Sequence, residues 1–347
     1  MHFASDNWAG AHPDIARNLL ARSTGFAAAY GASELDREVD RRFSEIFERD
    51  VAVFFVSTGT AANSLALTAY DRAGGISFGH REAHVIADEC GAPEYFMGGS
   101  RLHGVDGPFG RMDIDALKTA IERFPPAFVH GGRPAAITIT QATEVGTVYS
   151  LAQVDAISAL AREHGIPLHM DGARFANALV SLDATPAEMT WKRGVDVLSF
   201  GGTKNGCWCA EAVVFFNPDE AKDFPFVRKR AAQLFSKSRF VAAQFEAYFA
   251  NDLWLQTARH SNAMAARLAG HFTASPNARL GWKPDANEVF PILPKGLAEE
   301  MKDKGAVFYA WPTPAAIEVG PDETLCRFVT SFATTEAEVD EIGLLIA

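Results

Sequence analysis

Short, mostly apolar segments alternate with helix-like segments between residues 51 and 216. The segments predicted as strands are residues 51–56, 84–87, 135–140, 168–171, 196–200 and 212–216. Their apolar residues follow one another rather than standing at every second position, which is typical of strands covered on both faces. Helices are predicted at 60–72 and 151–165, and Ser33 is predicted to cap another that runs to about residue 48. This alternation predicts an α/β fold built on a mostly parallel sheet.

The last third of the chain has a different pattern. Residues 225–270 are predicted as a long helical region. Further strands are predicted near 288–293, 307–310, 315–319 and 325–332, with a closing helix from about residue 334. We therefore expect a large domain over residues 1–250, which includes an N-terminal arm, and a small α+β domain over residues 251–347.

Charge and cysteine content narrow the class of protein. The 347 residues carry a net charge of −11, which argues against a surface that grips nucleic acid or an anionic membrane. The N-terminus lacks the basic and apolar regions of a signal peptide, and four cysteines are too few for a disulfide framework. We expect a cytoplasmic protein with reduced thiols, no metal site and no membrane segment.

Three places along the chain carry chemistry, and the first is the loop that joins the strand at 51–56 to the following helix. Residues 57–63 read Ser-Thr-Gly-Thr-Ala-Ala-Asn, a small-residue turn that leaves backbone N–H groups free for an anion. The turn matches neither the dinucleotide-binding fingerprint nor the P-loop. Ordinary helix capping is the more frequent reason for such a turn, and phosphate binding is the second interpretation.

The second place is Asp171, at the end of the predicted strand 168–171. A carboxylate in an apolar sheet must be paired or hydrogen-bonded, because burying it alone is costly. Its cationic partner is either Arg174, three residues further on, or the protonated ring nitrogen of a bound cofactor.

The third place is Lys204, which follows a predicted strand and two glycines. Most lysines are solvated surface residues. A lysine delivered into the crevice at a strand end is instead poised to form a Schiff base.

An anion cradle, an aspartate on a strand and a lysine some thirty residues later suit pyridoxal 5′-phosphate (PLP). In this order the chain resembles the low-specificity L-threonine aldolases and related phenylserine aldolases, which have the aspartate aminotransferase fold (fold type I). The resemblance covers almost the whole chain. It rests on Ser5-Asp6-Asn7, Tyr30-Gly31, TGTAANSLAL (58–67), Ala83-His84, residues 88–94, TITQATEVGTVY (138–149), HMDGARF (169–175) and FGGTKNG (200–206).

The resemblance implies roles for individual residues. Lys204 would form the Schiff base, Asp171 would bind the pyridine nitrogen, and Arg174 would lie by the phenolic oxygen. The remaining implied roles are phosphate binding by Thr58, Gly59 and Thr60, ring stacking by His84, and substrate binding by Ser5, Tyr30, Arg174 and Arg327. Read without the family, His84 would be a satisfied histidine at a strand start and Arg327 a solvated arginine on an edge strand.

The chain departs from the family at Glu144. Many threonine aldolases carry Asn-Thr-His-Asn-Gly there, with a histidine near the substrate hydroxyl, whereas this chain has Thr-Glu-Val-Gly at 143–146. The base that removes the β-hydroxyl proton is therefore open between His84, Glu144 and a bound water. Residues 231–240 replace a glycine-rich loop of many relatives, and Lys237 or Arg239 is a candidate to reach the phosphate of this or a neighbouring subunit.

The implied function is a PLP-dependent carbon–carbon lyase. It would cleave L-threonine, L-allo-threonine or phenylserine to glycine and an aldehyde, the preferred substrate being left open. The resemblance also implies a homodimer or homotetramer with shared active sites, to which Tyr30 would contribute. The alternatives are another fold type I enzyme, such as an aminotransferase or β-eliminating lyase, and a phosphate-binding α/β protein without PLP.

Overall fold

The computed structural model describes residues 1–125, 127–314 and 316–347, and a seven-stranded sheet forms its larger part. The strands are β1 (Ala52–Val56), β2 (Gly75–His80), β3 (Arg101–Val105), β4 (Arg133–Thr140), β5 (Leu168–Gly172), β6 (Val197–Gly201) and β7 (Glu211–Phe215). Their order across the sheet is β1-β7-β6-β5-β4-β2-β3. Only β7 runs antiparallel to its neighbours, so the predicted mostly parallel sheet is confirmed.

Helices pack around this sheet. They are α1 (Pro13–Ala21), α2 (Glu34–Ile46), α3 (Gly59–Thr68), α4 (His84–Ala87), α5 (Ala92–Phe96), α6 (Ile114–Glu122), α7 (Leu151–Glu163), α8 (Phe175–Leu182), α9 (Pro186–Met189), α10 (Phe224–Arg230) and α11 (Arg239–Phe249). Ser33 caps α2 as predicted, and its hydroxyl and Asp36 form a reciprocal capping box. Among the described residues, none of the helices has both the length and the apolar character needed to span a membrane.

A second, antiparallel sheet lies in the C-terminal part. Its strands are β8 (Arg279–Leu280), β9 (Glu288–Val289), β10 (Pro291–Pro294), β11 (Tyr309–Ala310) and β12 (Glu323–Val329), and its helices are α12 (Leu253–Ala274), α13 (Lys295–Asp303) and α14 (Glu336–Leu345). Phe3 from the N-terminal segment packs on Phe328 in the hydrophobic core of this C-terminal part, with ring centroids 5.8 Å apart. Since α12 contacts both α8 and α14, the domain boundary at residue 250 stays a prediction.

Two sequence predictions of secondary structure are wrong, and a third is confirmed only in part. Residues 84–87 form the one-turn helix α4 instead of a strand, because a four-residue apolar run does not distinguish the two. Residues 316–319 form no strand, and Ala315 lies outside the described residues. The predicted helical region 225–270 is broken into three helices, and Asn251 and Asp252, both with positive φ, separate α11 from α12.

Three strands, β2, β3 and the two-residue β8, are not predicted from the sequence. Glycines at 75 and 79 weaken the β signal of the sequence Gly-Ile-Ser-Phe-Gly-His. The fold nevertheless needs the first of them, because a Cβ at Gly75 would come within 2.3 Å of the Ser100 hydroxyl oxygen.

Candidate active site

A cavity of about 280 Å³ lies where β1, β5 and β6 end. It is lined by Asn7, Ser57, Thr58, Gly59, Thr60, Asn63, His84, Asp171, Ala173, Thr203, Lys204 and Glu211. The carboxyl ends of parallel strands are the usual ligand sites of open α/β sheets. All three places that the sequence singled out therefore open into one cavity.

The N-terminus of α3 forms one wall of the cavity. Thr58 caps this helix, and its hydroxyl oxygen accepts a 3.1 Å hydrogen bond from the N–H of Ala61. A Cβ at Gly59 would meet no atom within 4 Å, so the space beside this backbone is open. Ser57 donates from its N–H and its hydroxyl to Oε1 of Gln233, at 3.0 and 2.9 Å. The free N–H groups of the first helical turn can thus meet an anion from the cavity.

Asp171 is buried at the end of β5 and does not pair with Arg174. Its Oδ2 accepts a 2.9 Å hydrogen bond from the amide of Asn63, and its Oδ1 accepts one of 3.0 Å from the N–H of Ala173. Arg174 instead donates to Asp6 in the N-terminal segment, at 2.8 and 3.1 Å. The expectation of an Asp171–Arg174 pair is wrong, because Asp6 offers the guanidinium two oxygens at once.

Asn63 also connects Asp171 to His84. Its amide donates to Glu89 Oε1 at 2.8 Å, and the same oxygen lies 2.8 Å from His84 Nδ1. The hydrogen bond to Glu89 raises the pKa of His84, while burial raises the pKa of Glu89. Asn63 and Glu89 both lie in segments that carry the family resemblance, but no local sequence pattern indicates that they meet.

Lys204 lies in the 3₁₀ turn Thr203–Asn205 directly after β6, and it is half-buried. Its Nζ forms no hydrogen bond or ion pair with any residue that the structure describes. Glu211 lines the same cavity from β7, and burial raises the pKa of its carboxyl to about 7. Sequence reasoning missed Glu211, since nothing in its neighbourhood distinguishes it from a surface residue.

A buried group of charges surrounds Arg174, whose side chain is only 3% exposed. Besides Asp6, Glu288 Oε1 lies 3.3 Å from Nη2 and Glu144 Oε1 lies 3.9 Å from Nη1. Arg327 Nη1 lies 3.9 Å from Glu288 Oε1. The sequence had indicated Glu144, Arg174 and Arg327 but not the two acids Asp6 and Glu288. We call these five residues together the five-charge cluster.

The other contacts of Arg327 show that it is not a solvated edge residue. Its Nη2 donates to the carbonyl oxygen of Ala4 at 3.3 Å, and its guanidinium lies 4.3 Å from the centre of the Trp311 ring. Arg327 thus joins β12 to the N-terminal segment.

The acids of the five-charge cluster differ in their protonation. Burial opposes ionisation of Asp6 and Glu144, but nearby cations outweigh it and lower both pKa values. The cations that lower the pKa of Asp6 are Arg174 and Lys204. For Glu144, Lys204 lowers the pKa more than any other cation does. The pKa of Glu288 is raised to about 7, mainly by burial. The charges of Glu144 and Asp6 also raise this pKa, whereas Arg174 and Arg327 lower it.

The residues of the five-charge cluster do not line the Lys204 cavity, and neither do the remaining predicted residues Ser5, Tyr30, Lys237 and Arg239. Ser5 lines a neighbouring cavity of about 240 Å³, and its hydroxyl oxygen accepts a hydrogen bond from the N–H of Asn7. Tyr30 is 55% exposed, and Lys237 is exposed as well. Arg239 donates to the carbonyl oxygen of Gly25 at 3.2 Å. A single chain therefore does not bring Tyr30, Lys237 or Arg239 to the cavity.

Comparisons with known proteins agree with this geometry. The sequence pattern of the family described as "Beta-eliminating lyase" matches residues 2–292. A low specificity L-threonine aldolase of Pseudomonas aeruginosa is 42% identical over 98% of this chain and 95% of its own length. Another from Pseudomonas sp. is 40% identical over the same shares.

Solved structures give the same result for the fold. The structure of a threonine aldolase from Leishmania major matches with a TM-score of 0.92 at 28% identity, covering 99% of this chain and 98% of the other. The fold is thus the fold type I architecture that the sequence predicted, and the chain belongs to the beta-eliminating lyase family and, within it, to the low specificity L-threonine aldolases.

Proposed function

We propose that this protein is a PLP-dependent carbon–carbon lyase that cleaves β-hydroxy-α-amino acids to glycine and an aldehyde. L-threonine, L-allo-threonine and phenylserine are the proposed substrates. One observation carries the proposal: a lysine with no ion-pair or hydrogen-bond partner among the described residues, a buried aspartate and a helix N-terminus line the same cavity. The names of the two Pseudomonas relatives support the reaction.

The residues of the cavity fit PLP at each of its three polar ends. Thr58, Gly59 and Thr60 would hold the phosphate, since no side chain occupies the space beside Gly59. Asp171 would bind the ring nitrogen, and Lys204 would bind the aldehyde carbon through its free Nζ. When bound, PLP supplies an electron sink for the pair left when the Cα–Cβ bond breaks.

The chain's own residues then orient the substrate and move its proton. The substrate carboxylate would be held by Ser5, Arg174 and Arg327, and Arg174 Nη1 and Arg327 Nε are buried nitrogens without a hydrogen-bond partner in the described residues. Buried donors of this kind are normally satisfied, so an anion is the expected partner. The hydroxyl proton would be taken by His84, Glu144 or a water.

Asn63 and Glu89 would keep the His84 ring in place. Because Nδ1 is held by Glu89, only Nε2 of His84 is free to exchange a proton with a substrate. The same Asn63 amide fixes Asp171, so one side chain would set the position of both groups.

The active assembly would be a homodimer or homotetramer in the cytoplasm. Tyr30, Lys237 and Arg239 lie outside the cavity of their own chain, which is expected if they serve a neighbouring one. Phe26 and Tyr95 are exposed apolar side chains that a subunit interface would cover. Sedimentation of a fully active monomer would contradict this assembly.

A second fold type I reaction remains as a rival. The description of the matched family favours β-elimination, which gives a 2-oxo acid in place of glycine and an aldehyde. The product therefore separates the two reactions.

The test begins with the spectrum of the purified protein, which should show the visible absorption of bound PLP. Borohydride reduction and peptide mapping should then tag Lys204, while Lys204→Ala should carry no tag and the exposed control Lys304→Ala should behave as wild type. Glycine and aldehyde are measured together from L-threonine, L-allo-threonine, L-phenylserine and the D isomers. We expect cleavage of the L isomers with loose control at Cβ. A 2-oxo acid, or consumption of D isomers alone, would overturn the aldolase assignment.

A further inference from the structure

The five-charge cluster contains three carboxyl side chains and two guanidinium side chains. Asp6, Glu144 and Glu288 face Arg174 and Arg327, and each acid comes from a different segment: the N-terminal segment, the loop after β4, and β9. With all five groups ionised, the cluster carries a net charge of −1, and none of its side chains is more than 12% exposed. Lys204 and His84 are the other charged groups near Glu144.

Glu288 is the acid whose surroundings least suit a carboxylate. Both of its oxygens are buried and lack a hydrogen-bond partner in the described part of the chain, and its side chain is 0% exposed. Asp6, by contrast, receives three hydrogen bonds, from Arg174 and from Asn287. A buried ionised carboxylate normally receives hydrogen bonds from several donors. Glu144 has one buried oxygen without a partner among the described residues, and nearby cations lower its pKa, whereas Glu288 has two such oxygens and is thus the acid that gains most from holding a proton.

The packing prevents the acids from moving apart. Gly146, two residues after Glu144, has φ +69°, and a Cβ there would come within 2.6 Å of the carbonyl oxygen of Glu288. The loop that carries Glu144 therefore lies directly on β9. Arg174 contacts both acids with one guanidinium, at 3.9 and 3.3 Å.

We propose that Glu288 is a specificity-determining residue which must carry a proton before Arg174 and Arg327 can accept the carboxylate of an amino-acid substrate. This inference rests on the proposed function. If Glu288 is ionised, a substrate carboxylate becomes the fourth anion on two guanidiniums. If Glu288 is neutral, two cations face two protein carboxylates, and the incoming anion meets no net negative charge.

The ionisation of Glu288 sets the direction of the pH effect on ligand affinity. Since burial raises the pKa of Glu288 to about 7, the proton is present below this pH and lost above it. Affinity for a ligand with a carboxylate should fall above pH 7, approaching tenfold per pH unit for one linked proton. Affinity for an amine without a carboxylate should not follow this change.

The experiment compares glycine with methylamine as ligands of the PLP-loaded enzyme. Each Kd is measured from the change in the cofactor spectrum at pH 6, 7, 8 and 9, corrected for the ionisation of each free amine. The ratio of the two Kd values removes effects of Lys204 that both ligands share. For wild type, we expect the ratio of glycine to methylamine Kd to rise at least tenfold between pH 7 and pH 9.

Two variants assign the effect. Glu288→Gln keeps the shape of the side chain without a titrating proton, so its Kd ratio should stay within about threefold over the same range. Glu341→Gln, on the exposed face of α14, is the control and should follow wild type. A flat ratio in wild type, or an unchanged slope in Glu288→Gln, would overturn the inference.

A measurement on wild type alone covers the case in which Glu288→Gln does not fold. Heats of binding at pH 8 in buffers of different ionisation enthalpy give the number of protons taken up. Glycine should take up close to one proton more than methylamine, and equal uptake would overturn the inference. If both ligands bind while the ratio stays flat, only this inference fails. If neither ligand changes the spectrum, the proposed function fails and the inference fails with it.

Discussion

Arg174 forms a two-point ion pair with Asp6, which lies 168 residues away in the sequence, at 2.8 and 3.1 Å. This contact ties the N-terminal segment to the start of α8, beside the cavity that contains Lys204. Asn7, the next residue, lines that cavity. The N-terminal segment is therefore part of the candidate active site.

Asp6→Asn should destabilise the protein, because it leaves the buried guanidinium of Arg174 without its two-point partner. Breaking a buried ion pair costs about 3–5 kcal/mol. Asp14→Asn is the matched control: its pair with Arg17 is exposed and should contribute less than about 1 kcal/mol. Thermal unfolding of both variants at pH 7 measures the difference. Equal melting temperatures would show that Glu144 and Glu288 fully replace Asp6.

Asp171→Asn should fold and bind PLP but lose most of its turnover, because a neutral amide does not stabilise a proton on the ring nitrogen. A hydrogen bond to a charged group contributes about 1.5–3 kcal/mol, so kcat should fall by about 10- to 100-fold or more. Aldehyde release from L-threonine provides kcat, and the visible spectrum confirms cofactor loading. Near-normal turnover in the loaded variant would rule out this role of Asp171.

His84→Asn should lower kcat more than Glu144→Gln does. The charges of Lys204 and Arg174 hold the pKa of Glu144 below its usual range despite burial, which makes this carboxylate a weak base. The hydrogen bond to Glu89 raises the pKa of His84, so the neutral ring forms at a higher pH than in a free imidazole, and kcat should increase with pH through that titration.

Loss of the positioned base should cost about 10²–10⁴-fold in kcat. The pH profiles of wild type and both variants test the assignment. A larger loss in Glu144→Gln, or an identical pH profile in His84→Asn, would assign the base to Glu144 or to water.

Asp40→Asn should stabilise the protein at pH 8 more than at pH 5. Burial, together with the charge of Asp36 one turn earlier on α2, raises the pKa of Asp40 to about 7. The unfolded chain ionises this carboxyl near pH 4, so wild type loses stability as the pH rises from 4 to 7. We expect a gain of about 1–2 kcal/mol at pH 8, since residual solvent reduces the full effect. Melting temperatures at both pH values, with exposed Asp303→Asn as control, should show a gap that widens with pH for Asp40→Asn only.

The sequence alone was sufficient for the α/β architecture and for the placement of Asp171 and Lys204 at one cavity. Apolar runs and glycine turns are local patterns, and they predicted β1, β4, β5, β6 and β7 together with the positions of Asp171 and Lys204 at strand ends. Because parallel strands end at the same edge of a sheet, correct strand ends already imply that these side chains meet. The same patterns did not distinguish a strand from a helix at His84, where only four apolar residues were available.

The partners of the buried charges were decided by the tertiary structure alone. Arg174 has Asp171 three residues away, yet it binds Asp6, Glu144 and Glu288, which approach from three distant segments. Asn63 likewise joins Asp171 to Glu89 across 108 and 26 residues. Such pairs depend on which segments pack against each other when the sheet and the C-terminal part close around the cavity. Local periodicity does not predict that packing. An ion pair needs only two side chains in contact, and it places no constraint on the sequence that separates them.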